Sequence, residues 1–518
     1  MTFLAKPKAV SAAVSGVRLN RQGCLRAGLM VAGLVATAAQ AQSRPQITVD
    51  TGVVQGESRG DVLAFLGMPY AAPPVGPLRW RPPQAPAVWT GVRNGAGFGA
   101  ACPQPKLFSA AWAQVGPTSE DCLFLNVWKP ASALNHRLPV MVFIHGGGFT
   151  FGAAGVPLYD GAALARRGVV IVTMNYRLGR LGFFAHPALT QKGLKDQLGN
   201  YGIMDQIAAL KWVHRNIAKF GGDPGNVTIF GESAGAGSVQ LIMAAPDVDG
   251  LFAKAVSESG AGLESLPTLK DNEARGVKWT DQLGLHDVTA DALRALPVAQ
   301  VITATGFPMI DGRLVRHSPG QTFTRADERP VPFIIGSNSF EGSLYKTPAS
   351  KEALGDNYAG LLSDYTRPGV NAAAAEVEMN GEVSAVEPSR YLADQHAKRA
   401  PTFVYYFDQV AMSERGKTPG AEHGGEVEYL FGNKPADQTW DDADKRVSKL
   451  MGDYWVRFAA LGDVAVAGDP AWKSVTPTSQ AFLVFDAATH MAEPSPLSLK
   501  TKALDLAGAT PGWADDKN

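Results

Sequence analysis

Cysteine is scarce in this sequence, at three residues in 518. That scarcity excludes a small disulfide-stapled scaffold and a Cys-rich structural zinc module. His, Cys and acidic residues nowhere cluster at metal-ligand spacing, so neither a metal nor a cofactor is expected. A surplus of charge is missing as well. Forty-eight basic residues balance 48 acidic ones, leaving no field to draw in a polyanion, and nucleic acid is not expected as a partner. Beyond the N-terminal region no apolar run is long enough to cross a bilayer, so the mature chain is expected to have no membrane span. Internal repeats are absent, and the only low-complexity tract is a short alanine run at 372–375.

What remains is a composition suited to a large folded core, 45% hydrophobic and 19% charged. The first residues stand apart. Lys6, Lys8, Arg18, Arg21 and Arg26 lead into "AGLMVAGLVATAA" and then "AQA". A basic region, a short apolar core and an A-x-A site form a secretory signal peptide over 1–41, with a mature domain over 42–518. The expected location is therefore outside the cytoplasm, periplasmic or secreted. Cys24 leaves with the signal peptide. Cys102 and Cys122 remain, an even pair that should join in an oxidising compartment. Closing a loop of about 20 residues stabilises a fold by roughly 3 kcal/mol in the loop-entropy picture.

Residues 42–100 are rich in turn formers, and "GMPYAAPPVGPLRWRPPQAP" is expected to hold little regular structure. Farther on, "LPVMVFIH" and "GVVIVTMNY" are apolar without alternation, as strands buried on both faces are. Ile203, Ile207, Leu210, Val213, Ile217 and Phe220 recur at three- and four-residue spacing and make one helical face, which Gly221 and Gly222 should stop. "NVTIF", "AKAVSES", "VPFIIGSNS", "TFVYYFDQV" and "AFLVFD" supply further strands. Strand and helix in alternation predict an α/β fold, a mainly parallel central sheet with helices on both faces. The Ala-, Gly- and charge-rich segment 345–400 is expected to be helical cover over that sheet.

"GESAG" (231–235) lies between the apolar run "NVTIF" and a helical pattern. G-x-S-x-G in a strand–turn–helix context points to Ser233 as a nucleophile on a sharp turn, where side chains at 231 or 235 would collide. A serine needs a base and an oxyanion site. Directly after the strand "VMVFI" comes "HGGGF", whose Gly147 and Gly148 can offer bare amides together with that of Ala234. Phe149 and Phe151 fit a pocket wall and core packing equally well. In the order Ser, acid, His, the base lies among His396, His423 and His490. His396 sits in a charged helical pattern that reads as a solvated face, and His490 in a polar loop. His423, in the Gly-rich "PGAEHGGEVEYLFG", is favoured. For the acid, Asp311, Asp327, Glu328 and Glu341 lie in the right interval. Glu341 follows a buried strand and is preferred, with Asp311 as its turn-forming rival.

These stretches resemble the type-B carboxylesterases, the carboxylesterase and cholinesterase group of α/β-hydrolases. "FGGDPGNVTIFGESAG" (220–235) and "EDCLFLNVW" (120–128) are similar to the two long signatures of that family. "GMPYAAPPVGPLRWRPP", "HGGGF", "NYRLGRLGF", "GNYGIMDQ" and "DPAW" follow in its order, so the resemblance spans about 47 to 490. It implies an α/β-hydrolase fold with helical cover insertions. It further implies the triad Ser233, Glu341 and His423, the oxyanion donors Gly147, Gly148 and Ala234, and the disulfide Cys102–Cys122. Ser259 matches a serine near the acid in relatives, and Glu232 a residue that shapes site electrostatics or merely anchors the turn. The chain departs from the pattern in three places. The interval from Glu341 to His423 is shorter than in the larger animal members, the other disulfides are missing, and Glu258 stands where relatives often carry glutamine.

The expected reaction is hydrolysis of a small-molecule or natural-product ester through a Ser233 acyl-enzyme, without a cofactor. Three rival readings accompany it: an amidase, lactonase or carbamate hydrolase on the same triad, an esterase for a bulky polyol ester or a polymer, and a non-catalytic binding protein. The full catalytic set disfavours the last. Oligomeric state is not legible.

Overall fold

In the computed structural model, the apolar runs without alternation become the centre of an 11-stranded sheet. The structure describes residues 44–105, 115–132, 137–190, 199–263, 265–302, 306–344, 355–366, 368, 370–476 and 478–494. The expected signal peptide lies outside these residues, as does 345–354 of the expected cover.

The strands in chain order are β1 (Gln46–Val49), β2 (Gly52–Gln55), β3 (Glu57–Arg59), β4 (Val62–Pro69), β5 (Val92–Asn94), β6 (Phe124–Pro130) and β7 (Leu138–Ile144). There follow β8 (Val170–Met174), β9 (Gly222–Glu232), β10 (Lys254–Glu258), β11 (Phe333–Asn338), β12 (Thr402–Phe407), β13 (Phe482–Phe485) and β14 (His490–Ala492). The large sheet runs β14-β13-β12-β11-β10-β9-β7-β8-β6-β4-β3, while β1, β2 and β5 form a small separate sheet. From β8 across to β13 every neighbour is parallel, and both margins are antiparallel. This is the α/β-hydrolase arrangement.

Burial on both faces explains why the central strands lack alternation. In β7, Val140, Val142 and Ile144 pack into one core layer, while Met141 and Phe143 pack into the other. The helix expected after β8 spans Tyr201–Asn216 and tightens into a 3₁₀ turn over Ile217–Phe220. All six residues of its predicted face are buried. Gly221, at φ 84°, stops it in the left-handed region.

Residues 42–100 hold more structure than expected, since β1 to β5 all fall there and β4 is largely buried. The turn signals belong to the stretch after β4, where only a 3₁₀ turn at Gly76–Leu78 forms. Pro-rich sequence masked a strand that ends where the prolines begin.

Cys102 and Cys122 are bonded, with Cα atoms 5.0 Å apart, and both are buried. The double variant Cys102→Ala/Cys122→Ala is expected to lose about 3 kcal/mol. Thermal denaturation checks this, and an unchanged midpoint would show the bridge to be energetically idle.

Candidate active site

Strand β9 ends at Glu232, and the helix Ala234–Ala244 begins one residue after Ser233. Between them Ser233 takes φ 55° and ψ −123°, a strained conformation for a residue with a Cβ. Its amide donates to Glu258 O at 2.8 Å, and its carbonyl accepts from Gly237 N at 2.9 Å. The flanking glycines allow the bend. A Cβ on Gly231 would sit 2.6 Å from the carbonyl carbon of Gly235, and one on Gly235 would overlap the carbonyl oxygen of Ile144. Ser233 itself is only half-buried.

Beyond β7 the chain turns through Gly146, Gly147 and Gly148, the last two at φ 105° and 56°. Gly147 O accepts from Thr150 N at 3.0 Å and Phe151 N at 3.1 Å, which fixes the loop. A Cβ on Gly147 would overlap Phe151 O, so glycine is required there. Gly146 lies against Glu232, where a Cβ would come 2.5 Å from Oε2. Ala234 is the first helical residue, whose amide has no intrahelical acceptor. Phe149 packs edge to face on Phe183 at 5.2 Å and borders the core.

Glu341 opens a 3₁₀ turn just after β11, and its Oε1 accepts from Asn338 N at 2.8 Å. Its Oε2 lies 2.5 Å from His423 Nδ1. His423 precedes the helix Gly425–Phe431, and its own amide donates to Ser343 Oγ at 2.9 Å. The other ring nitrogen, Nε2, has no hydrogen-bond partner among the described residues. It lies 3.2 Å from Glu232 Oε1, over the residue next to Ser233. Ser259 Oγ donates to Glu426 Oε1 at 3.4 Å and also supports Glu341.

Three buried carboxyl groups, Glu341, Glu232 and Glu426, therefore act on one imidazole. Burial alone would raise Glu341, but the His423 charge and bond, Asn338 N and Ser259 hold it below its ordinary value. Burial alone would lower His423, yet Glu341 first, then Glu232 and Glu426, push it up to about 10. Burial lifts Glu232 to about 7, and burial with the Glu232 and Glu341 charges lifts Glu426 to about 8. Glu426 and Asn338 were not legible in the sequence. Only an acid three residues beyond His423, at an apolar helix start, hinted at the former.

Linkage gives these shifts a sign. The folded forms of Glu232 and Glu426 hold protons that the unfolded chain releases near 4.5, so their contribution to stability is complete below that value. It is lost as pH rises through about 7 and about 8. His423 acts in the same direction, contributing fully below 6.5 and losing that contribution as pH rises through about 10. Glu341 acts oppositely, its contribution being lost as pH falls below 4.5. The thermal midpoint should therefore decline steadily from mildly acidic to alkaline pH. A midpoint that climbs from pH ~6 to ~9 would contradict this assignment of protons.

The rival side chains are committed elsewhere. Asp311 accepts from Asn200 Nδ2 and from the amides of Arg313 and Leu314, each at 2.7 Å, as the hub of a turn. His396, expected on a solvated face, is fully buried instead. Its Nδ1 meets Glu328 Oε1 at 2.9 Å and its Nε2 meets Val331 O at 2.8 Å. The helix Glu387–His396 packs on β11 and β12, and its charged residues pair internally, which is why charge failed to signal exposure. His490 lies exposed on β14 beside Asp486.

Comparison with known proteins identifies the family and the fold. The model of the Carboxylesterase family matches residues 43–503. A Fumonisin B1 esterase from Sphingopyxis macrogoltabida is 35% identical, over 88% of this chain and 90% of its own. A para-nitrobenzyl esterase from Bacillus subtilis (strain 168) is 33% identical, over 80% and 90% respectively. Among solved structures, a thermophilic PNB esterase superposes with a TM-score of 0.79 at 31% identity, covering 89% of this chain and 100% of its own.

Proposed function

The chain belongs to the carboxylesterase family and is a carboxylic ester hydrolase, and from that premise we propose an exported serine esterase working through a Ser-His-Glu triad. Ser233 attacks the ester carbonyl while His423 takes its proton at Nε2, and Glu341 holds the imidazole through Nδ1. The amides of Gly147, Gly148 and Ala234 receive the oxyanion. The tetrahedral intermediate collapses as His423 returns the proton to the leaving alcohol. Water, deprotonated by the same nitrogen, then releases the acid and frees Ser233. The observation that carries this reading is the asymmetry of the His423 ring. Nδ1 is engaged by Glu341 at 2.5 Å, while Nε2 makes no hydrogen bond among the described residues and lies 3.2 Å from Glu232 Oε1.

Export is supported by the basic and apolar N-terminal pattern and by the Cys102–Cys122 bond, which suits an oxidising compartment. Among the described residues no helix is long and apolar enough to cross a membrane. A second reading concerns the substrate. Similarity over 88% of the chain to a protein named Fumonisin B1 esterase supports testing a bulky ester of a polyol with polycarboxylic acids beside simple acyl esters.

The test is a panel of esters with graded acyl and alcohol size, run beside labelling with a serine-reactive organophosphonate. One label per chain on the Ser233 peptide, with matching loss of hydrolysis, is expected. Full activity after complete labelling would overturn the nucleophile. Within the panel, higher kcat/KM for polycarboxylate polyol esters than for p-nitrophenyl esters would support the second reading.

A further inference from the structure

Strand register places Glu232, Glu258, Gly336 and Tyr405 in one transverse row across β9, β10, β11 and β12. Paired residues of neighbouring strands point to the same face. Here that face meets the helices Gly425–Phe431 and Asp442–Leu461. Adjacent strands are about 4.8 Å apart, so Glu232 and Glu258 are immediate neighbours in a dry layer. Two like charges at that spacing oppose each other strongly. Beyond Glu258 the row has a gap, because Gly336 has no side chain. A Cβ there would overlap the Tyr405 ring, which closes over the space.

Glu258 is wholly buried. Its Oε1 accepts from Trp455 Nε1 at 2.6 Å, and its Oε2 finds no donor among the described residues. The groups facing it are Glu232 from β9, Glu426 from the helix after His423, Trp455 from the long helix and Tyr405 from β12. None of the charges acting on it is a cation. A carboxylate in this place would want several donors and has one. A carboxylic acid would want a single acceptor, and two carboxyl groups with acceptor oxygens stand beside it. Burial first, then the charge of Glu426, hold this carboxyl well above its ordinary range.

We propose that Glu258 is a positioning residue for His423 that works as a neutral acid, donating its proton toward the carboxyl oxygens of Glu232 and Glu426. The inference rests on His423 being the base. Glu232 and Glu426 are, after Glu341, the carboxyls that hold a proton on the imidazole. A donor behind them spreads their charge and frees the ring to exchange its proton with Ser233. A charged Glu258 would do the reverse and strand His423 as the imidazolium.

Two variants test this. Glu258→Gln keeps an acceptor for Trp455 and a donor on the other side, and it never ionises. Its acidic limb of kcat/KM should superimpose on that of the wild type. Glu232 and Glu426 also hold protons near neutral pH, so the reading is the wild-type-minus-glutamine infrared difference spectrum, which should show the loss of one protonated-carboxyl carbonyl component. Glu258→Leu fills the space without a donor, and kcat should fall on the order of tenfold at unchanged KM, the equivalent of one unit in the imidazole pKa. The proposal falls if the glutamine variant shifts the limb by roughly half a unit or more, if it leaves the infrared spectrum unchanged, or if the folded leucine variant turns over like the wild type. Should the leucine protein not fold, Glu258→Met takes its place. Failure of both to fold, with a folded and active glutamine variant, would assign Glu258 to stability alone and overturn the positioning role. Activity retained by His423→Ala would instead remove the underlying reading. The infrared difference between the wild type and Glu258→Gln, recorded without turnover, reports the charge of Glu258 in either case.

Discussion

Ser233→Ala is expected to lower kcat for ester hydrolysis by about 10⁴-fold or more, because the acyl-enzyme route needs the hydroxyl and no neighbour replaces it. The fold should be indifferent. Ser233 donates and accepts through its backbone, to Glu258 O and from Gly237 N, and alanine keeps both bonds. Alanine also bears the same Cβ at φ 55°, so the strain of the turn is unchanged rather than relieved. Loss of activity at an unaltered thermal midpoint would therefore report chemistry alone. Ser233→Gly gives a useful contrast: it loses the same activity but relaxes the strained φ, and its midpoint should rise or hold. An alanine variant with wild-type turnover would move the nucleophile elsewhere and dissolve the proposed mechanism.

The legible part of this site was the part encoded locally. A nucleophile turn needs a buried strand, two glycines and a helix in immediate succession, and all of that fits within "NVTIFGESAGAGS". The loop at Gly146–Gly148 is equally local, since three glycines follow a strand directly. Polar groups joined across the sheet were much less legible. Glu426 belongs to the site because the helix Gly425–Phe431 folds back over β9 and β10, a long-range event with no short sequence signature. Glu258 joins through strand register, which follows from how β10 pairs on both sides. His396 misled for the same reason. Its helix carries charges at a spacing that suggests an exposed face, but Glu387 and Arg390 pair with each other at 2.8 Å while buried. Periodicity reports a face, and it cannot say whether the charges on that face are already paired.

That misreading leads to the sharpest comparison the molecule offers, because two of its histidines each hold a buried glutamate through Nδ1. Glu341 with His423 and Glu328 with His396 have similar contacts, at 2.5 and 2.9 Å. They differ at the far nitrogen. His396 Nε2 is spent on Val331 O at 2.8 Å, so its ring has no site left to move a proton. His423 Nε2 has no such bond among the described residues. Glu341→Gln should therefore lower kcat by roughly 10³- to 10⁴-fold, since the amide neither fixes the tautomer nor balances the imidazolium. It also removes the carboxylate with the largest raising effect on His423. The acidic limb of the residual activity should accordingly move to lower pH, a shift that general loosening of the site would not produce. Glu328→Gln should do the opposite, keeping kcat within about twofold while costing about 1–3 kcal/mol of stability, as expected when a buried bond is weakened far from the reaction. Measuring kcat, its pH profile and the thermal midpoint for both variants separates the pair that exchanges protons from the one that holds the fold. Equal losses of kcat in the two variants would mean that the state of the far nitrogen is not what distinguishes them.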